Sequence, residues 1–121
     1  MSRLLLIDDD EIALNLLQNF LQEEGHEINS TADGPQGIAL FKQRRPDVIL
    51  LDLGLPSMNG LEVLHRIKSI DPAATVIIIT GLGSEEAEQV ARGYGATAFL
   101  RKPLDLDDLE AAIRQALGVG R

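Results

Sequence analysis

The chain has 121 residues, 45% of them hydrophobic but only 3% aromatic, with no cysteine and a formal net charge of −8. This suits one domain with an aliphatic core rather than a disordered chain, and it excludes disulfides, thiol nucleophiles and zinc–thiolate sites. The acidic balance argues against binding a nucleic-acid duplex. No run approaches the roughly 18 apolar residues of a membrane span, and the N-terminal apolar run, cut at Asp8, does not fit a signal peptide, so the expected location is cytoplasmic.

The pattern alternates strands and helices. Residues 3–7 predict a strand ending at Asp8-Asp9. Residues 10–24 predict a helix with Ile12, Leu16, Leu17, Phe20 and Leu21 on one broad face, stopped by Gly25. A short strand over 26–30 follows, then a helix from Asp33-Gly34-Pro35 to about Arg44. Pro46 turns the chain into a strand over 47–51, which ends at Asp52 and a loop running to Gly60. A helix over 61–69 is broken at Asp71-Pro72, and a strand over 75–79 leads to Thr80-Gly81-Leu82-Gly83. Ser84 caps a helix with Glu85 and Glu86 in its first turn, where the helix dipole favours acids, and Gly93 and Gly95 end it. Residues 97–100 predict the last strand, and Asp105 caps a last helix with Leu109, Ile113 and Leu117 on one face. Residues 1–117 make one domain, and 118–121 a C-terminal tail or linker stub.

Strands apolar along their length and polar only at the C-terminal end belong to a parallel sheet covered on both faces. Right-handed crossovers then give an α/β, flavodoxin-like, doubly wound sheet of five strands with five helices, in the order 2-1-3-4-5. Ligands of such sheets bind beyond the strands' C-terminal ends at the point where the strand order reverses. That placement gathers Asp8, Asp9 and Asp52 with Thr80 and Lys102 around one crevice. Three carboxylates repel one another unless a cation sits among them, and Mg²⁺ takes one or two carboxylates together with waters and phosphate oxygens. Asp52 has the chemistry of a nucleophile that forms an aspartyl-phosphate, with Lys102 neutralising phosphoryl oxygens and Thr80 donating a hydrogen bond. Each residue alone has a plainer reading. The acidic triplet Asp8-Asp9-Asp10 equally well caps a helix, Thr80 caps a turn, and Lys102 is a solvated lysine. The joint placement carries the argument. His26 and His65 lie away from the strand ends and read as surface or helix histidines.

The pair Asp8-Asp9, the segment from Asp47 through Asp52 to Gly60, the Thr80-Gly81 step and the run from Gly95 to Lys102-Pro103 together resemble the receiver domain of response regulators in two-component signalling. The resemblance runs from Leu4 to about Leu117. It implies that Asp52 accepts a phosphoryl group from a histidine kinase or phosphotransfer protein. It also implies that Asp9, Asp52 and the backbone carbonyl of Gly54 bind Mg²⁺, with Asp8 acting through a water. Thr80 and Phe99 are then the switch pair, Phe99 rotating from solvent into the core, and the Lys102-Pro103 bond is cis, making Pro103 a structural cis-proline. The helix 84–93, the last strand and the last helix form the output face, which also serves a homodimer, with no direct contact to nucleic acid or membrane. Gly54 and Leu82 flank the water path to the phosphoryl group. Such a domain is a signalling module that catalyses only its own phosphorylation and dephosphorylation.

The main rival is a phosphatase of the haloacid-dehalogenase type, with Asp8 as nucleophile and Asp10 as acid/base. It lacks a cap insertion and a late acidic pair at a strand end. A flavin-binding module would need a first loop that does not repel phosphate. A receiver fold without phosphorylation is at odds with the intact set Asp8, Asp9, Asp52, Thr80 and Lys102.

Overall fold

The computed structural model describes residues 2–81 and 84–118. The expectations for Leu82, Gly83 and the tail 119–121 lie outside the described residues. Strands and helices alternate as β1 (Arg3–Ile7), α1 (Glu11–Glu23), β2 (Glu27–Thr31), α2 (Gly34–Arg44), β3 (Val48–Leu51), α3 (Gly60–Ile70), β4 (Val76–Thr80), α4 (Glu85–Gly93), β5 (Ala98–Arg101) and α5 (Leu106–Leu117). All pairings are parallel, and the order is β2-β1-β3-β4-β5. The expected doubly wound sheet is therefore the observed one.

Alternation along the strands divides the core in two, because successive side chains point to opposite faces. Leu5, Ile7, Ile49, Leu51, Val76, Ile78 and Phe99 pack with Ile38 and Phe41 of α2, Val63, Leu64 and Ile67 of α3, and Ala91 of α4. Leu4, Leu6, Val48, Leu50, Ile77 and Ile79 pack with Leu17 and Leu21 of α1 and Leu109 and Ile113 of α5. Strands β1, β3 and β4 bury side chains on both faces, which is why their sequences are unbroken aliphatic runs.

The helix ends follow from local chemistry. Asp10, Asp33, Asn59, Ser84 and Asp105 each accept backbone N–H groups at a helix start, satisfying donors that have no partner within the helix. Gly25, with φ of +92°, lets the chain turn after α1.

One face of α1 differs from the expectation. Ile12 is 82% exposed and Leu16 54% exposed. The buried stripe is instead Leu17 and Leu21, with Leu14 and Phe20 partly covered. Residues 14, 17 and 21 form an i, i+3, i+7 stripe against the sheet, and Ile12 and Leu16 lie to one side of it. His26 is also more enclosed than a surface histidine: its Nδ1 is buried with no hydrogen-bond partner among the described residues, and burial lowers its pKa.

Candidate functional site

Sheet register builds the site. Ile7 pairs with Leu51, so the next residues, Asp8 and Asp52, emerge side by side. The Asp52 N–H donates to the Ile7 carbonyl at 2.8 Å, and the Asp8 N–H donates to the Thr31 carbonyl at 3.1 Å. Leu51 pairs with Ile78, two residues before Thr80, and Thr80 pairs with Arg101, one residue before Lys102. The Lys102 N–H donates to the Thr80 carbonyl at 2.9 Å. The Lys102–Pro103 bond is cis, as expected.

The predicted residues converge. Asp8, Asp9 and Asp52 each offer a carboxylate oxygen, and the three atoms lie within 4.8 Å of one another. The Lys102 ammonium donates to Asp8 at 2.8 Å and to Asp52 at 3.4 Å, and stands 4.0 Å from Asp10. Asp8 and Thr80 are fully buried and Asp52 is 6% exposed, whereas Asp9 faces solvent. The Gly54 N–H donates to Asp52 Oδ1 at 3.2 Å, fixing the rotation of that carboxylate.

The electrostatics follow from burial. Loss of solvent pushes the Asp8 carboxyl up to about 6; the Lys102 ammonium and the Asp10 N–H oppose this, and the charge of Asp52 adds to it. Burial also acts to lower the Lys102 pKa, but its bond to Asp8 and the charges of Asp8 and Asp52 outweigh that and raise it. One ammonium among three carboxylates leaves the crevice short of positive charge. A hard dication with oxygen ligands fits that donor set.

The triplet divides its labour. The Asp10 side chain caps α1 by accepting from the N–H groups of Ile12 at 3.1 Å and Ala13 at 3.2 Å. The capping explanation thus holds for Asp10, and Asp8 and Asp9 belong to the crevice. The phosphatase reading loses its parts. Asp8 has one oxygen held by Lys102 and the other accepting from the Asp10 N–H at 2.9 Å, and no surface for a substrate.

Phe99 departs from expectation. It is only 9% exposed and belongs to the core cluster, because it pairs with Ile78 on the covered face and Arg101 lies across its ring. No rotation from solvent starts from this position. Gly60, expected as the end of the loop and of the segment carrying the resemblance, also has a steric role that the sequence did not show. A Cβ there would lie 2.6 Å from the Asp52 carbonyl oxygen and against the Leu53 backbone. Its only signal was a glycine eight residues after the strand-end aspartate.

Residues 4–114 match the family described as the response regulator receiver domain. The chain belongs to that family. It is 35% identical over 118 residues to sporulation initiation phosphotransferase F of Bacillus subtilis, covering 97% of this chain and 95% of that protein. It is 31% identical to the probable transcriptional regulatory protein TcrX of Mycobacterium tuberculosis, covering 93% of this chain but 48% of that one. It thus spans nearly all of one relative and about half of the other. The solved structure of a CheY-like response regulator receiver domain protein from Methanospirillum hungatei JF-1 superposes with a TM-score of 0.94 at 30% identity, covering 98% of this chain and 94% of that one. A receiver domain is a signalling domain of two-component response regulators, and its aspartate cluster fits a phosphoacceptor site that could hold a metal ion. Among the described residues no helix is long and apolar enough to cross a membrane.

Proposed function

We propose that this receiver domain, residues 1–117, takes a phosphoryl group on Asp52 from the phosphohistidine of a cytoplasmic histidine kinase or phosphotransfer protein. The observation that carries this reading is the convergence of Asp8, Asp9, Asp52 and Lys102 in one crevice. An Asp52 oxygen attacks phosphorus as the phosphorus–nitrogen bond of the donor breaks, and the imidazole nitrogen keeps the electron pair. Lys102, within reach of both buried carboxylates, is placed to pair with a phosphoryl oxygen. Thr80 supplies a hydroxyl from the neighbouring strand end. Asp9, Asp52 and the Gly54 carbonyl would hold Mg²⁺, with Asp8 one water away, and the ion would neutralise charge on the transferring group.

The donor must come close to Asp52, and the surface beside the crevice suits a protein partner. Ile12 and Leu16 expose apolar surface on α1, and together with Asp10, Ala13, Pro103 and Leu104 they line a groove that shares Lys102 with the acidic crevice. Scattered exposed apolar residues need no explanation, but a grouped set beside a reactive site marks docking. The changed output face is expected at α4, β5 and α5, where a homodimer or an effector would bind.

The test is acetyl phosphate with Mg²⁺. One phosphoryl group should be added, labile to hydroxylamine, and Asp52→Ala should abolish it. Equal labelling of Asp52→Ala would move the acceptor elsewhere.

A further inference from the structure

The outer side of Phe99 is covered by a charged clamp that links α4 to β5. The Arg101 guanidinium carbon lies 5.2 Å from the centre of the Phe99 ring. Arg101 Nη2 reaches Glu88 Oε1 at 3.1 Å, and the other Glu88 oxygen accepts from Arg92 Nε at 3.0 Å. Glu88 thus holds one guanidinium from its own helix and one from the strand.

Sheet geometry sets this clamp next to the crevice. Phe99 and Arg101 are two residues apart on β5, so they share a face. Ile78 pairs with Phe99 and Thr80 pairs with Arg101, which puts all four side chains on that face. Lys102 follows Arg101 directly and bonds the Thr80 carbonyl. Because β5 is an edge strand, the sheet offers no further strand to confine the Phe99 ring. Its inner side meets the core, and its outer side meets Arg101.

We propose that Arg101, held by Glu88, is a positioning residue that keeps Phe99 inward before any phosphoryl group arrives. The proposal rests on the reading that Thr80 and Phe99 couple the crevice to the outer face. It changes what that coupling does. The aromatic half of the switch is pre-set, and the change on phosphorylation falls to α4, around a Glu88–Arg101 bridge kept in both states. A preset ring removes a step that phosphorylation would otherwise have to drive, so the clamp raises the affinity of the crevice for a phosphoryl group.

Ring accessibility in the unphosphorylated protein tests the clamp directly. The chain has three phenylalanines, and Phe20 and Phe41 serve as internal references for a fluorinated or ¹³C-labelled Phe99. In the unchanged protein, with no phosphoryl mimic, a soluble paramagnetic probe should broaden Phe99 little more than the buried Phe41 and less than the partly exposed Phe20. Glu88→Gln and Arg101→Gln should each expose Phe99 without altering Phe41, and Arg101→Lys should fall between. Apparent affinity for beryllofluoride with Mg²⁺ should drop about two- to five-fold in Glu88→Gln, the range open to one partly exposed ion pair and a ring contact. A Phe99 already accessible in the unchanged protein, or equally shielded in both Gln variants, overturns the clamp. If beryllofluoride fails to bind at all, the phosphoacceptor reading falls, while the ring measurement, made without it, still decides the clamp.

Discussion

At the scale of single residues, the site is a problem of charge. Asp8 is buried against Lys102 and its carboxyl is raised to about 6 from 3.8. A raised folded-state pKa means that the fold binds this proton more tightly than the unfolded chain. The stability it contributes is present below about pH 4 and lost as pH rises through about 6. A dication among the carboxylates replaces the proton's role at higher pH. Mg²⁺ should therefore stabilise the fold against thermal unfolding more at about pH 7.5, where ten times its Kd adds about 1.4 kcal/mol, than at about pH 5. Asp9→Ala should remove that gain while leaving the metal-free fold intact, because Asp9 faces solvent. An equal Mg²⁺ effect at both pH values, or an unchanged one in Asp9→Ala, would count against the cation site. The positions of Asp8, Asp52, Thr80 and Lys102 were legible because each ends an apolar strand. The inward position of Phe99 was not, because it is fixed by packing against Ile78 and Arg101 on the covered face, and the Arg101 partner Glu88 is 13 residues away in the chain.

At the scale of elements, two connections decide how well the crevice is held. The loop between β3 and α3 returns at Gly60, whose N–H donates to the Leu53 carbonyl at 3.1 Å. A Cβ at Gly60 meets backbone atoms of Asp52 and Leu53, which cannot swing aside as a side chain would. Gly60→Ala should cost about 1–3 kcal/mol in chemical denaturation, typical of overpacking, and should slow labelling of Asp52 by acetyl phosphate. Normal stability and labelling would show that the loop relaxes freely. Helix α1 is the second connection. Its apolar residues were legible from spacing, but their division into a buried stripe and an exposed edge was not. A broad apolar face gives no sign of which part meets the sheet, and here it is Leu17 and Leu21 that pack against β1, β3 and α5. Replacing Ile12 and Leu16 by Ser should reduce phosphoryl transfer from a cognate phosphohistidine protein at least ten-fold, as loss of about 1.4 kcal/mol of docking implies. It should leave labelling by acetyl phosphate unchanged. Equal losses with both donors would place the defect in the crevice rather than in docking.

At the scale of the molecule, the fold concentrates its stability in the three central strands of the sheet. Strands β1, β3 and β4 bury nearly every side chain, and α3 buries Val63, Leu64 and Ile67. Helix α4 has nine residues and buries only Ala91 among its side chains, and it exposes Val90. A nine-residue helix does not hold itself together in water, so its order depends on tertiary contacts. Here those include Ala91 in the core and the bridge from Glu88 to Arg101. Elements with few buried apolar contacts open at the lowest free energy, and switching regions are drawn from that group. Amide hydrogen exchange should therefore be faster in α4 than in α3, and slowest in β1, β3 and β4. Beryllofluoride with Mg²⁺ should change protection at the crevice and again in α4 and β5, with α1 and α3 little altered. That pattern would trace the signal along Thr80, Arg101 and Glu88. Protection of α4 equal to that of α3, with changes ending at Asp9, Asp52 and Lys102, would mean that the chain takes up a phosphoryl group without remodelling its outer face. A role in passing the group onward would then describe it better than a role in switching.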